Sequence, residues 1–289
     1  MLVQITRENR KNFTGIVPET LLVFLGDDEN YYGIGIVPDP SSLPVAALVF
    51  YLDIETDDEG EEHKVCDIKW LFVSEEVREI GAATFMFSEC MKLIEGSGIE
   101  AVRTYVPMDT EYNLLCNVLE GFGFEFDLTE HFELIETLQT IRGSEVLKKR
   151  LANKDIVPLS AVPARLFSQG LVEIAEKVDM SDFVLPLYPE AYDMDVSMLY
   201  VPDKIPRGFL LVRAYESKVL EIVYLKCDDS NASNIIFELI TAAIDACAQK
   251  YDDNTTIRAT VRTGTAGQLI SRILPEARNQ VLRRGYFVL

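Results

Sequence analysis

The sequence contains little of what membrane, metal-binding and disulfide-bonded proteins require. No apolar run approaches the roughly 20 residues that span a bilayer, and residues 1–12 lack the apolar segment and cleavage site of a secretory leader. With 2 histidines in 289 residues, no His-rich metal site is expected. The 5 cysteines form no C-x-x-C pair and lie in apolar segments, which favours free thiols. We therefore expect a soluble cytoplasmic protein without a metal.

Positive charge is also scarce. The chain has 27 basic and 47 acidic residues, a net charge of −20, so nucleic acid and anionic membranes would be repelled and neither is an expected partner. Residues 1–150 hold 29 of the acidic and 12 of the basic residues. Such a surface would attract a cationic acceptor such as an amine. The alternative is that it only keeps the chain soluble, since several of the acidic residues cluster at 57–62.

Length and hydrophobic content indicate two domains of ordinary size. The chain has 289 residues, of which 48% are hydrophobic, enough for two buried cores. In the first half, strands are predicted at 2–6, 31–37, 45–53, 65–73, 99–107, 124–129 and 131–138, and helices at 19–25, 82–95 and from 112. This order predicts a mixed α/β (α+β) fold in which helices cover a twisted sheet.

The stretch from Val65 to Gly98 constrains the function most. Val65–Val73 is rich in β-branched and aromatic residues and predicts a central strand. A helix from Gly81 is indicated by apolar residues at three- and four-residue spacing followed by glycines: Ala82, Met86, Cys90, Leu93, then Gly96 and Gly98. A helix start exposes unpaired backbone N–H groups, and a glycine there lets an anion approach them. The loop of residues 74–81 therefore predicts a phosphate-binding site.

The loop carries an arginine, a glycine and a small residue at fixed spacing, as Arg78, Gly81 and Ala83. It is neither G-x-G-x-x-G nor a P-loop, which argues against a Rossmann or kinase-type nucleotide site. In its context the block resembles the coenzyme-A-binding core of the GNAT N-acetyltransferase family, whose loop reads Q/R-x-x-G-x-G/A after a central strand. The segment 112–124, with its closing Gly123-Phe124, is similar to the family's next helix. The resemblance covers most of residues 1–140.

The resemblance implies transfer of an acetyl group from acetyl-CoA to an amine on a small molecule or a peptide. It implies that the pyrophosphate binds at the loop and the pantetheine arm along the preceding strand, where the next strand splays away. The coenzyme-binding residues are then Leu71, Phe72, Val73, Arg78, Glu79, Ile80, Gly81, Ala82, Ala83 and Asn113. Glu79 departs from the family, which prefers a basic or neutral residue there.

The reaction also needs a proton acceptor, because an amine of Lys-like pKa near 10.4 is almost wholly protonated at neutral pH. In histone-acetylating relatives a carboxylate lies fourteen residues before the loop glycine, and Asp67 holds that position. Asp67 is the candidate base, or it only pairs with Lys69 or a neighbouring strand. Many relatives protonate the leaving thiolate with a tyrosine, where this chain has Leu119. Tyr112 is the substitute candidate, or it only packs.

The second half repeats the first. Residues 219–225 echo 65–71, residues 257–261 echo 102–106, and the predicted helix at 234–250 echoes the one at 82–95. We therefore expect two tandem GNAT-like domains, each a twisted mixed sheet flanked by helices. The first covers 1–140, a linker helix 141–155, and a degenerate second domain 156–289.

The second copy differs where the coenzyme would bind. Aligned by the repeat offset, residues 232–237 replace the loop of the first copy and contain no glycine, so we predict that this domain does not bind coenzyme. The chain also stops soon after Gly285-Tyr286-Phe287, which resembles Phe122-Gly123-Phe124, and lacks the closing strand that residues 131–138 supply in the first copy. Its sheet is then completed or covered by the other domain.

Two other functions fit the same residues. A non-catalytic acyl-CoA sensor or interaction module would explain Leu119 and Glu79. Another acyl transfer on the same scaffold, with a longer acyl chain or a thiol-precursor amine as acceptor, would keep the coenzyme site and change only its neighbours.

Overall fold

The chain folds into two compact α/β units. A computed structural model describes residues 1–39, 41–56, 61–78, 80–149, 153–175, 186–215, 218–261, 264–277 and 279–289. Unit 1 consists of Met1–Thr129 together with Leu282–Leu289, and unit 2 consists of Glu130–Val281. None of the helices in the described residues has the length and apolarity of a membrane-spanning segment.

Unit 1 is a mixed sheet with one parallel strand pair. Its elements are β1 (Leu2–Gln4), α1 (Glu19–Leu22), β2 (Tyr31–Ile36), β3 (Ala46–Thr56), β4 (Glu62–Val73), α2 (Ala82–Ile94), β5 (Ala101–Pro107), α3 (Asn113–Glu120), the start of β6 (Glu125–Thr137) and most of β12 (Asn279–Val288). The strand order is β1-β2-β3-β4-β5-β12. Only β4 and β5 run parallel among these pairs.

Helix α2 lies where the sequence predicts it, but one buried position differs. Its buried residues are Met86, Phe87, Cys90 and Ile94, and they pack against apolar residues of β3, β4 and β5. Leu93, expected on this face, is 60% exposed. At 3.6 residues per turn Ile94 continues the stripe of Met86, Phe87 and Cys90, and Leu93 falls on the outer side.

Unit 2 has the same mixture of strand directions. It comprises the rest of β6, α4 (Leu138–Arg142), β7 (Ile156–Pro158), α5 (Ala164–Ala175), β8 (Met198–Tyr200), β9 (Gly208–Ala214), β10 (Val219–Cys227), α6 (Ala232–Lys250), β11 (Thr256–Val261) and α7 (Gly264–Ile273). Its strand order is β6-β11-β10-β9-β8-β7. The parallel pair is β10 and β11.

The division between the units differs from the one that the sequence suggests. The segments 124–129 and 131–138, expected as two strands of the first domain, form the single strand β6. Ile141 and Leu147, assigned to a linker at 141–155, are buried in the core of unit 2. The polar Lys148 and Lys149 suggest a linker in the sequence, whereas the apolar Ile141, Val146 and Leu147 beside them pack into this core.

Each unit is completed by a strand from a distant part of the sequence. Residues 132–137 of β6 pair with β11 in unit 2, and residues 282–288 of β12 pair with β5 in unit 1. The second sheet is therefore completed by residues that the sequence assigns to the first domain, as expected. The end of the chain, which was not expected to supply a closing strand, closes unit 1. Gly285 lies inside that strand, whereas Gly123 sits in a turn with φ +95°, so the two Gly-Phe segments are not structural equivalents.

Candidate functional site

The central feature of unit 1 is a gap between two parallel strands. β4 and β5 pair over four positions, from Val65↔Ala101 to Ile68↔Thr104. Beyond Ile68, β4 continues to Val73 and stays paired with β3 on its other side. β5 continues to Pro107 and stays paired with β12. At the point of parting the Thr104 hydroxyl donates to the Ile68 carbonyl at 3.1 Å. The predicted splay is therefore present.

A β-bulge accompanies the parting. Val49 pairs with Trp70, but the next residue of β3, Phe50, pairs with Ile68, so Lys69 is an extra residue in β4. A bulge bends its strand and increases the local twist, which turns the end of β4 away from β5. After the bulge, Leu71 and Val73 face the core beneath α2, and Trp70 faces the opposite core.

The start of α2 is open to an approaching anion. Gly81 is the N-cap residue with φ +87°, and no side chain caps the helix. A Cβ placed on Gly81 would meet no atom within 4 Å. Ala82 and Ala83 follow with small side chains. The first N–H groups of a helix have no intrahelical partner and carry the positive end of its dipole. The geometry fits the phosphate-binding site that the sequence predicts.

The loop before α2 is tied back to β4 by its arginine. Arg78 Nε donates to the Val73 carbonyl at 3.0 Å, and its Nη1 lies 3.8 Å from Glu75 Oε1 in an exposed, weak ion pair. Ile80 is 75% exposed. Glu79, also expected at the coenzyme, lies outside the described residues. Arg78 thus places a positive charge beside the end of β4 and occupies one of its main-chain acceptors.

The other predicted binding residues lie at the same edge of the sheet. Leu71, Phe72 and Val73 form the half-buried end of β4. Tyr112 is half-buried immediately before α3, and Asn113, the first residue of that helix, is exposed. Because the carboxyl ends of parallel strands share one edge, β4 and β5 both lead into these segments.

Asp67 lies in a buried network of charges just before the gap. Its side chain is 2% exposed, and its carboxylate accepts from the Lys69 ammonium. Arg103 Nη2 lies 3.3 Å from Asp67 Oδ2 and 3.1 Å from Asp53 Oδ2. The pairing with Lys69 and with the neighbouring strand, one of the two roles considered from sequence, is therefore present. Two cations compensate two buried carboxylates.

A tyrosine borders this network. The Lys69 ammonium lies 5.6 Å from the centre of the Tyr51 ring. Burial, together with the nearby carboxylates of Asp53 and Asp28, raises the pKa of Tyr51 to about 12. Its hydroxyl is therefore protonated at neutral pH. Sequence reasoning missed Asp53, Arg103 and Tyr51. For Asp53 and Arg103 the available signal was a charged residue within a strongly apolar strand, β3 and β5 respectively.

The position of the expected proton donor is apolar. Leu119 is 1% exposed and packs in the core with Met86 and Phe87. Cys116, three residues earlier on α3, is also buried. Burial raises the pKa of its thiol, which Glu120 reinforces and the charge of Arg283 opposes. This helix face supplies neither a hydroxyl nor a reactive thiolate.

Unit 2 repeats the gap but not the loop. β10 and β11 pair over four positions, Val219↔Thr256 to Ile222↔Ala259, and Val223 is the extra residue of a bulge. The loop to α6 spans only 228–231, against 74–81 in unit 1. The alignment of 232–237 with the first loop is therefore wrong, because these residues lie inside α6, where Ile235 and Phe237 are buried.

The start of α6 carries acceptor groups in place of a glycine. Its N-cap is Asn231 with φ −104°. Asp229 Oδ1 accepts the Asn231 N–H at 2.9 Å, and the Asn234 amide donates to Asn231 Oδ1 at 2.6 Å. A carboxylate next to the helix start would repel an anion. That the second copy binds no coenzyme stays a prediction, with which the short loop and these contacts agree.

Comparison with known proteins identifies the fold. No family model matches the sequence, and no curated protein does. A tandem GNAT protein from the clavulanic acid biosynthesis pathway aligns over 100% of this chain and 98% of its own, with a TM-score of 0.68 and 8% identity. The chain is also similar to a putative acetyltransferase from Pyrococcus horikoshii, with 100% of this chain and 89% of that one covered, a TM-score of 0.61 and 13% identity. It is likewise similar to a GCN5-related N-acetyltransferase from Kribbella flavida, with 100% of this chain and 71% of that one covered, a TM-score of 0.53 and 15% identity. The chain has the tandem GNAT fold.

Proposed function

We propose that unit 1 binds acetyl-CoA and transfers its acetyl group to an amine. The observation that carries the proposal is the parting of β4 and β5 beside a helix start opened by Gly81. The main chain of Leu71–Val73 would bind the pantetheine arm, with Asn113 on the facing helix. The loop residues Arg78, Glu79, Ile80, Gly81, Ala82 and Ala83 would bind the pyrophosphate.

Asp67 is the proposed proton acceptor. It lies one residue before the point where the strands part, and a general base takes its proton directly or through one water. Its partner Lys69 is 22% exposed, so the network connects with solvent. Acetyl-CoA supplies the activated acyl group, and Asp67 takes the proton that the amine must lose. Tyr112 is the proposed proton donor to the leaving group.

The acceptor is proposed to be a cationic small molecule or peptide. The support is the charge of residues 1–150, which hold 29 acidic and 12 basic residues. A negative surface raises the local concentration of a protonated amine before it loses its proton in the site.

Calorimetric titration with acetyl-CoA tests the proposal. We expect one site per chain and a loss of about tenfold or more in affinity for Gly81→Asn, because each charge-assisted hydrogen bond is worth about 1.5–3 kcal/mol. Gly96→Asn is the matched control, since Gly96 also has a left-handed φ with nothing within 4 Å and lies at the other end of α2. Asparagine tolerates that conformation, so equal loss in both variants, or no binding to the unaltered protein, contradicts the proposal.

A second candidate function is a non-catalytic acyl-CoA sensor. It is favoured by the two cations already paired with Asp67 and by the apolar Leu119 at the donor position. A sensor would bind acetyl-CoA without turnover on any panel of amines, and Asp67→Asn would leave its behaviour unchanged. Tighter binding of succinyl- or myristoyl-CoA than of acetyl-CoA would instead indicate another acyl transfer.

A further inference from the structure

Two adjacent arginines of β12 point to opposite faces of the unit 1 sheet. Arg283 lies opposite Val106 of β5, and Arg284 lies opposite Tyr105. Val106 shares its face with Val102, because side chains alternate along a strand, and Val102 packs in the core beneath α2 and α3. Arg283 therefore lies on the helix-covered face, and Arg284 lies on the other.

The surroundings of the two arginines differ accordingly. The Arg283 guanidinium lies 5.9 Å from the centre of the Phe126 ring, and its charge acts on Cys116 of α3. Arg284 lies 5.8 Å from the Tyr286 ring centre and 3.7 Å from Asp127. Among the described residues, the buried Nε of Arg283 has no hydrogen-bond partner. Buried donors are nearly always paired, so this one points to a group that binds there.

Arg283 is also close to the gap. Its partner Val106 lies two residues beyond Thr104, on the half of β5 that no longer pairs with β4. Cys116 lies one helical turn before Leu119 on α3. A positive charge is thus placed beside the free half of β5 and near the turn of α3 where related enzymes carry their proton donor.

We infer that Arg283 is a coenzyme-binding residue whose positive charge stabilises the sulfur of the coenzyme as the acyl group leaves. The inference rests on the proposed function. As the amine nitrogen bonds to the acyl carbon, the carbon–sulfur bond breaks, its electron pair stays on sulfur, and the amine proton passes to Asp67. The guanidinium keeps its own protons, since arginine is not deprotonated in proteins, and acts by charge alone.

The test is a pH titration of the thiolate absorbance of free coenzyme A bound to the protein. A thiol has an ordinary pKa near 8.5. We expect the bound thiol to ionise about one unit lower, as an opposite charge nearby favours the ionised form, and Arg283→Gln to remove this shift. Arg284→Gln removes the same charge from the same strand and should leave it unchanged. Both variants retain the ionisable neighbours of the two arginines, which are Cys116 and Glu120 on α3 and Asp127 on β6. A titration without coenzyme measures the absorbance of the protein's own thiols, which is then subtracted.

Each outcome has a distinct meaning. Equal thiol pKa values in the unaltered protein and in Arg283→Gln overturn the inference and leave the proposed function intact. No binding of coenzyme A to the unaltered protein overturns both. If Arg283→Gln does not fold, Arg283→Lys keeps the charge and should keep a lowered thiol pKa. The titration of the unaltered protein is itself a test, because a bound thiol that ionises at or above its ordinary pKa contradicts the inference.

Discussion

The two units share a strand arrangement and differ in the loop that follows it. In each, two parallel strands pair over four positions and then part beside a bulge, with Lys69 as the extra residue in unit 1 and Val223 in unit 2. The loop after the strand spans 74–81 in unit 1 and 228–231 in unit 2. The gap is thus a property of the sheet, and access to the helix amides is a property of the loop.

The ion pairs between the parallel strands are also partly shared by the two units. Asp67 pairs in register with Arg103, and Glu221 with Arg258 in unit 2. In unit 2 the Tyr215 hydroxyl donates to Glu221 at 2.7 Å, and Arg258 Nη2 lies 2.6 Å from Glu133. The repeat keeps an acid opposite an arginine in both units. Only unit 1 adds an ammonium at the bulge, which we connect with proton transfer.

The largest expected effect is that of Asp67→Asn. Removing a general base typically costs 10²–10⁴-fold, so we expect a loss of about 100-fold or more in kcat with acetyl-CoA affinity retained. Glu221→Gln, the matching change in unit 2, should leave kcat unchanged. Because Asp67 also compensates Arg103, the change costs stability as well. Asp53→Asn, which removes another partner of Arg103, is the control for that, and an equal loss of kcat in it would refute the assignment.

Much of this comparison is readable from sequence. The apolar run at 65–73, the glycines at 81 and 96, and the repeat offset predict the strand, the helix and the second copy. The role of residues 282–288 as the closing strand of unit 1 is not readable, because nothing in this segment specifies its partner strand. Which neighbour such a strand joins depends on contacts distant in sequence.

The next largest effect concerns a charge cluster near the surface of unit 2. Asp193 accepts hydrogen bonds from Lys250 at 2.8 Å and from the Tyr251 hydroxyl. Burial opposes ionisation, but these bonds outweigh it and lower the pKa of Asp193. Asp193→Asn should reduce the free energy of unfolding by about 1.5–3 kcal/mol at pH 7.

The sign of the pH dependence follows from the lowered pKa. The stabilisation by Asp193 is complete above its unfolded pKa near 3.9 and is lost as pH falls through the lower folded value. Chemical denaturation from pH 7 to pH 3 should therefore show the Asp193→Asn difference shrinking below about pH 4. A difference that stays constant to pH 3 would contradict this account.

A smaller effect on stability is expected at the strand that closes unit 1. A Cβ on Gly285 would lie 2.7 Å from the Phe126 ring and 3.0 Å from Thr104 Cγ2. Gly285→Ala should cost about 1–2 kcal/mol through overpacking and weaken acetyl-CoA binding, because β12 supports β5. Gly15→Ala, with nothing within 4 Å, is the neutral control in thermal unfolding. An unchanged Gly285→Ala protein would show that β12 contributes little to unit 1.

The candidate site was less predictable than the fold. Asp67 is a candidate because a carboxylate lies at the same distance before the loop glycine in the relatives that the sequence resembles, and here Asp67 and Gly81 lie on one continuous strand and loop. Asp53 and Arg103 come from separate strands, and Arg283 from the far end of the chain, so their proximity follows only from register. The bulge at Lys69 has no signature in the sequence that distinguishes it from regular strand.

The smallest expected effect is that of Tyr112→Phe. Above a pH of about 8.5 the thiolate is the stable form of an ordinary thiol, so protonation of the leaving group by a donor contributes less. We therefore expect a loss of less than tenfold in kcat at pH 7, below the usual range for general acids, and convergence with the unaltered protein above about pH 8.5. Because Leu119 occupies the expected donor position, the hydroxyl considered is that of Tyr112, immediately before α3. Arg283 would carry most of the stabilisation by charge. A loss that persists at pH 9 would assign Tyr112 to packing at the start of α3 and remove proton donation from the proposed mechanism.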